Sequence, residues 1–234
     1  MSYWLIQHWL LVFNLMIGLW IFLPWLAPIL MHLGWERAGQ AIYLLYAPQC
    51  HQMPQRSFFI FGVSPMYSLN EIQTVWQQTD NPLILRQFVG NVDMGWKVAW
   101  SDRMVYMYTA IFIFGGGYGL VRKWFKPISI WSFVLLLLPM AIDGGTHMIS
   151  DIMGGIGGGF RDYNVWLATL TNHTFAPNFY AGDMLGSFNA WMRLFTGICF
   201  GLGIVGFVYP RLDEGVSIAA REIENKVKKA GKPL

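Results

Sequence analysis

The chain has 234 residues, of which 55% are apolar and only 12% are charged. Ordinary soluble domains carry about 25% charged residues, so the composition excludes that class and favours a membrane protein. The net charge of +3 is small and lies mostly near the C-terminus, which argues against nucleic acid as a partner, and two isolated cysteines exclude a disulfide framework.

The first predicted span covers residues 9–33, an apolar run that contains only Asn14 and His32 as strongly polar side chains. Pro24 and Pro28 lie in its second half, where proline kinks or ends a helix. No Lys or Arg precedes the run, so we expect a retained span rather than a cleaved signal peptide.

The stretch 34–103 is predicted to lie outside the membrane. It begins with a short amphipathic helix over 35–49, whose apolar residues recur at helical spacing and suit the membrane interface. Residues 50–63 combine polar groups with aromatic ones, and residues 64–102 are rich in Asn, Gln, Asp and Pro. Residues 64–102 therefore predict an ordered cap on the membrane domain.

Three further spans are predicted over residues 104–121, 128–149 and 188–209. The first of these carries four glycines, and the last holds the pattern Gly197-x-x-x-Gly201. Glycines in a span let a neighbouring backbone approach closely, so we expect them to pack helices rather than to bind a ligand.

The segment between the last two spans, residues 150–187, is predicted to be an outer loop that is partly re-entrant. Its GGIGGG stretch at 154–159 fails the phosphate-loop template, because Phe160 stands where that template requires Lys. The tail, residues 211–234, is predicted to contain a charged amphipathic helix over 212–230 near anionic headgroups.

These elements predict an all-α fold, a polytopic membrane helix bundle of about four spans over residues 1–210, with an outer cap and a cytoplasmic tail. Lys and Arg residues indicate the orientation, because they are enriched in cytoplasmic loops. Nine of them lie in the tail and the loop between the second and third spans, whereas six are spread over the two long segments on the other side. We therefore expect both termini in the cytoplasm and the chain in the plasma membrane.

Asp143 lies inside the third predicted span, where a carboxylate costs roughly 2.5–3.5 kcal/mol by insertion scales. His147 and Asp151 follow at spacings of four and eight residues, which places all three on one helix face. Arg193 lies in the fourth span at a similar depth, so an Asp143–Arg193 ion pair is predicted. Two roles remain open for it: locking the helices together, or taking part in a ligand, proton or metal site.

A second set of polar residues is expected on the same side of the membrane. Cys50, His51 and Arg56 precede the cap, and Arg103 lies at the outer start of the second span. The predicted topology therefore brings groups from separate segments together near the outer leaflet. Cys50, His51, Asp143 and His147 have the chemistry of zinc ligands, although adjacent residues such as Cys50 and His51 are poorly spaced for one ion.

The stretch CHQMPQRSFFIFG at 50–62 resembles the hallmark of an uncharacterised family of predicted prokaryotic membrane proteins. Three later stretches resemble further motifs of that family in the same order: GWKVAWSDR at 95–103, LPMAIDGGTH at 138–147 and NAWMRLFTGICFG at 189–201. The resemblance covers most of the chain and implies a membrane location and a shared polar site. It does not identify an activity or a cofactor.

This chain also departs from the family pattern. Ser101 and Met104 occupy the places of two cysteines in the Cys-x-Arg-Cys motif of many relatives, His147 replaces a Gln, and residues 151–186 resemble an insertion. If relatives bind metal through these cysteines together with Cys50, this chain has lost those ligands.

Three functions are compatible with the sequence. The first is an accessory or structural subunit that binds partner subunits in a respiratory or photosynthetic membrane assembly. The alternative is a membrane enzyme or a metal or redox protein that uses the outer polar cluster. A small transporter or lipid binder is disfavoured, because the chain has no internal repeats and only about four predicted spans.

Overall fold

The computed structural model describes residues 3–229. Four of its helices are long and apolar enough to cross a membrane, and they confirm the all-α class and the number of predicted spans. These four helices are listed in chain order: α2 Trp9–His32, α6 Asp102–Val121, α7 Ile130–Gly154 and α11 Phe188–Lys229.

Short elements connect the long helices. Before α6 these elements are α1 Tyr3–Gln7, α3 Glu36–Tyr46, β1 Ser57–Ile60, α4 Leu69–Val75, α5 Pro82–Leu85, β2 Gly90–Asn91 and β3 Gly95–Ser101. Between α7 and α11 they are α8 Phe160–Tyr163, α9 Val165–Leu170 and α10 Pro177–Tyr180. Helix α3 matches the predicted amphipathic helix, and the predicted outer loop contains three short helices.

The cap, which we define as residues 50–101 and 155–187, contains a small antiparallel sheet that the sequence analysis does not predict. The strands lie in the order β1-β3-β2, with Phe59 opposite Lys97 and Ile60 opposite Trp96. Strand β3 leads directly into α6, so the sheet fixes where that helix begins. We call the end of the bundle that carries the cap the site end.

Glycines allow α6 and α11 to pack backbone to backbone, as predicted. A Cβ atom at Gly201 would lie 2.5 Å from the Cβ of Ala110, and one at Gly197 would lie 3.0 Å from the backbone nitrogen of Met107. Any larger side chain at either position would push the helices apart. The close pairing of α6 with α11 in turn holds their N-terminal ends together at the site end.

Two of the four prolines inside the long helices free carbonyl groups that other segments use. Pro24 has no N–H for the carbonyl of Trp20, which instead accepts a hydrogen bond from the hydroxyl of Tyr46 at 2.9 Å. Pro210 likewise frees the carbonyl of Gly206, which accepts from the backbone N–H of Ile128 at 3.2 Å. Helix α11 therefore continues through Pro210, and the predicted fourth span and tail helix form one helix of 42 residues.

Candidate functional site

An arginine–aspartate network occupies the site end of the bundle. Its members are contributed by the first cap segment, α6, α7, the second cap segment and α11. The network comprises Arg56, Arg103, Arg161, Arg193, Asp102, Asp143, Asp151 and Asp183. The four positive and four negative charges balance, which lowers the cost of burying them next to a membrane.

Asp143 is the centre of one half of the network. One of its carboxylate oxygens accepts from Arg103 at 2.8 Å, and the other accepts from Arg161 at 2.6 Å. The side chain of Asp143 is only 1% exposed. The predicted Asp143–Arg193 pair is therefore wrong, because two other guanidinium groups already occupy both oxygens of this carboxylate.

Arg193 joins the second half of the network. Its Nε donates to Asp102 at 2.7 Å, one terminal nitrogen donates to the Asp183 carboxylate at 2.6 Å, and the other donates to the Asp183 carbonyl at 2.5 Å. Asp102 is the first residue of α6, where a negative charge also favours the helix dipole. Arg193 thus ties α11 to the start of α6 and to the second cap segment.

Arg56 links the two cap segments to α7. It binds both oxygens of Asp151, at 2.9 and 3.1 Å, and donates through Nε to Asp183 at 2.7 Å. Burial alone would lower the pKa of Arg56, but the carboxylates of Asp183 and Asp151 outweigh it and raise that pKa. Burial would likewise raise the pKa of Asp183, but Arg56 and Arg193 hold it well below its usual range, so this carboxylate stays ionised.

A cavity of about 590 Å³ opens beside the network. Most of the candidate residues of the sequence analysis line it: Cys50, His51, Arg56, Arg103, His147 and Arg193. Asp143 lies behind its wall, bound to Arg103. The expected convergence of separate segments is therefore present, and the volume lies within the range of small-molecule sites, about 300–1,000 Å³.

His147 differs from every charged residue around it. It is 4% exposed, yet neither of its ring nitrogens has a hydrogen-bond partner among residues 3–229. Its Nε2 lies 3.8 Å from the nearer carboxylate oxygen of Asp183, which is too far for a hydrogen bond. His147 is therefore a residue of the cavity lining whose two buried ring nitrogens have no partner among residues 3–229.

Cys50 lies in a polar environment on another wall of the cavity. Its sulfur accepts from the backbone N–H groups of Gln52 and Ser101, both at 3.3 Å, and lies 3.3 Å from the Ser101 hydroxyl. Met104 lines the same cavity, so the two positions where relatives are expected to carry cysteine do lie near Cys50.

The four proposed zinc ligands do not form a metal site. Within residues 3–229 no three His, Cys, Asp or Glu residues lie close enough together to hold a metal ion. Cys50 already accepts from two backbone N–H groups, Asp143 is bound by two arginines, and His51 is exposed. This donor set does not fit a bound metal.

The predicted loop before α11 supplies residues that the sequence analysis did not assign to the site. Arg161 binds Asp143, and Asp183 binds Arg56 and Arg193. Asn189 positions Arg161 by donating to its carbonyl at 2.7 Å and accepting from its guanidinium at 3.1 Å. Charge balance could have pointed to these residues, because three arginines in the recognised motifs require more carboxylates than those motifs contain.

Two further groups in this segment explain its compact fold. The Asp162 carboxylate accepts from the N–H of Gly159 at 2.8 Å, and burial raises the pKa of Asp162 to about 6 despite that hydrogen bond. A Cβ atom at Gly159 would lie 2.1 Å from the Ser150 hydroxyl, which accepts from the N–H of Arg161. The GGIGGG stretch thus folds the chain back onto α7 and places Arg161 beside Asp143.

Lys97 is a buried cation next to the site, and it has no carboxylate partner in the part of the chain that the structure describes. Its ammonium group donates to the carbonyls of Gln52 at 2.8 Å and Arg86 at 2.7 Å, and its side chain is fully buried. Burial lowers the pKa of Lys97 to about 7. Lys97 therefore joins strand β3 to both neighbouring loops of the cap at the cost of burying a titratable amine.

The pKa of Lys97 predicts that the protein becomes more stable as the pH rises from about 7 to about 10. In this window the unfolded chain keeps its proton on Lys97 while the folded chain has lost it, so the free energy of unfolding rises with pH. We expect a gain of about 2 kcal/mol between pH 7 and pH 9, since the limiting slope is about 1.4 kcal/mol per pH unit. Equilibrium unfolding in mixed micelles at both pH values measures it.

The variant Lys97→Met isolates this effect. It should lose most of the pH-dependent gain, whatever its stability at a single pH, whereas Lys123→Met, in the exposed loop after α6, should keep it. An equal pH dependence in Lys97→Met and the wild type would show that Lys97 keeps its ordinary pKa in the fold.

Comparison with known proteins agrees with a membrane protein of unknown function. Residues 92–207 match a family described as "Predicted membrane protein (DUF2085)". The chain is also 30% identical over 131 residues to the uncharacterized protein MJ1492 of Methanocaldococcus jannaschii, a match that covers 53% of this chain and 63% of the archaeal protein. The chain thus spans less than two thirds of that relative. No solved structure matches the chain.

Proposed function

We propose that this chain is a membrane protein of the matched family that binds a small molecule in the cavity at the site end, with His147 placed to hydrogen-bond the bound molecule. The observation that carries the proposal is that His147 lines the cavity while neither of its ring nitrogens has a hydrogen-bond partner among residues 3–229. Leaving a buried polar group without a partner costs about 1–3 kcal/mol, and a bound ligand would supply that partner.

The surrounding ion pairs support the same proposal by contrast. Asp143 and Arg193 each make several charge-assisted contacts with protein groups, which is what a structural role requires. His147 makes none, although it lies among them.

We propose that both termini face the cytoplasm and that the site end faces the opposite side of the plasma membrane. Five of the six cations counted on the site side are held by buried or partly buried contacts. These are Arg56, Arg86, Lys97, Arg103 and Arg161. The free positive charge on the two sides is then more unequal than the count of Lys and Arg residues indicates, and most of it lies on the side of the termini.

A second candidate function is an accessory subunit of a respiratory or photosynthetic assembly. The observation in its favour is the open space beside Gly116, Gly117 and Gly145 on two of the long helices, where an added Cβ would meet no atom within 4 Å. A partner helix could approach these positions closely. This function does not account for the unpaired nitrogens of His147.

Native mass spectrometry of the protein, extracted from its membrane in a mild detergent, separates the two functions. A single chain of 26.8 kDa carrying an adduct of small-molecule mass supports the proposal. The adduct should be lost in His147→Ala. It should be retained in His173→Ala, a control that makes the same substitution in the exposed loop after α9. A stoichiometric protein partner and no adduct would favour the accessory subunit and contradict the binding proposal.

A further inference from the structure

We infer that the cavity admits an amphiphile from the bilayer, with an anionic oxygen headgroup against Arg103 and His147 and its alkyl chain between α6 and α7. This inference rests on the proposed binding function and adds the chemical class of the ligand and its route. The shared headgroup chemistry is that of a carboxylate or a phosphate monoester.

Arg103 supplies the reason for an anionic headgroup. Only one N–H of its guanidinium donates to a protein acceptor among residues 3–229, namely to Asp143, and the side chain is 20% exposed where it lines the cavity. Asp143 is shared with Arg161, so this half of the network carries one more guanidinium than carboxylate. Guanidinium groups bind carboxylate and phosphate oxygens through paired N–H donors.

A glycine makes room for this arginine. An added Cβ at Gly144 would lie 2.6 Å from a terminal nitrogen of Arg103, so the guanidinium occupies the space that a side chain on α7 would fill. His147 follows Gly144 by three residues on the same helix and lines the same cavity. An anionic oxygen at this point would meet the guanidinium of Arg103 on α6 and lie beside His147 on α7.

Apolar side chains also line the cavity, and two of them are exposed on the surface of α7, a helix apolar enough to cross a membrane. Met104, Met148 and Ile152 line the cavity. Met148 is 61% exposed and Ile152 is 75% exposed, so the same side chains form the cavity wall and the outer surface of α7. A ligand with an alkyl chain can therefore enter sideways from the membrane and keep its chain in an apolar environment.

The ligand class can be tested in nanodiscs of phosphatidylcholine, a lipid without a free anionic group. The probes are dodecanoate and dodecyl phosphate, each carrying a diazirine on the chain, with unlabelled butanoate and inorganic phosphate as short competitors. We expect labelling of α7 near Met148 and Ile152, and little competition from the short anions, which lack the alkyl chain. The better of the two labelled probes identifies the headgroup.

Two variants test the contacts. Arg103→Gln should lower labelling about tenfold or more, because it removes charged donors, while Asp143 keeps its bond to Arg161. Arg122→Gln, at the opposite end of α6, should leave labelling unchanged. Ile152→Asn, at an exposed position of α7, should weaken the binding of dodecanoate and leave the binding of the short competitors unaffected.

The outcomes separate the inference from the proposal on which it rests. If short anions bind through Arg103 as tightly as the long probes, the binding function stands, but the inference that the ligand is an amphiphile is overturned. Equal labelling in Arg103→Gln and the wild type would mean that the probe labels α7 only from the surrounding bilayer. That result would overturn the inference. Absence of Arg103-dependent binding by any probe, together with a native protein that carries no adduct, would overturn both.

Discussion

Replacing Asp143 with Asn should lower the free energy of unfolding by about 3–5 kcal/mol, the cost of removing one partner from a buried ion pair. The substitution keeps the size of the side chain but removes the charge that both Arg103 and Arg161 contact. Arg161 is the more affected of the two, because it is buried, whereas Arg103 can turn toward the cavity. Equilibrium unfolding in mixed micelles measures the change.

Two comparisons test this explanation. Asp213→Asn removes a carboxylate from the opposite end of the bundle, where it lies 3.6 Å from a partly exposed Arg122, and should cost about 1 kcal/mol or less. Arg103→Gln should cost less than Asp143→Asn, because Asp143 keeps Arg161 as its partner. Equal losses in Asp143→Asn and Asp213→Asn would mean that the central carboxylate is not an essential part of the fold.

The sequence was sufficient to predict the membrane helices, because their length and hydropathy are local properties. It also predicted which residues share an end of the bundle, since four antiparallel spans place alternate segments on the same side. Asp143, His147 and Asp151 were expected on one helix face, and all three do face the network or the cavity. The helix period alone carries that information.

Side-chain partners could not be predicted in this way. Matching the depths of Asp143 and Arg193 suggested a pair, but depth does not fix which faces of two helices meet. The angular positions depend on the glycine contacts between α6 and α11 and on the fold of the second cap segment. That segment supplies Arg161 and Asp183, and its polar, glycine-rich sequence predicts only a loop.

The cap sheet was missed for a related reason. Strand β3 contains Lys97 and two tryptophans, and all but two of its residues are buried. A short strand that is buried on both faces lacks the alternation of apolar and polar residues by which strands are recognised. The ammonium group of Lys97 is accommodated by two loop carbonyls that only the folded chain brings together.

The second large effect is expected for Arg193. Arg193→Gln should also cost about 3–5 kcal/mol, because Asp102 is fully buried and Arg193 is its cationic partner. Asp183 is less affected, since Arg56 still binds it. Arg221→Gln, on the exposed part of the same helix, should change stability by less than about 0.5 kcal/mol.

The nature of the contact can be tested with a charge-conserving and a paired substitution. Arg193→Lys should restore only part of the loss, because one ammonium group cannot reach the carboxylate of Asp102 and both acceptors on Asp183 in the directions that the guanidinium serves. Adding Asp102→Asn to Arg193→Gln should make the double variant more stable than Arg193→Gln alone, because the buried carboxylate is then no longer uncompensated. Strictly additive losses from the two substitutions would show that Asp102 and Arg193 are not energetically coupled, and the link between α11 and the start of α6 would then rest on the glycine packing alone.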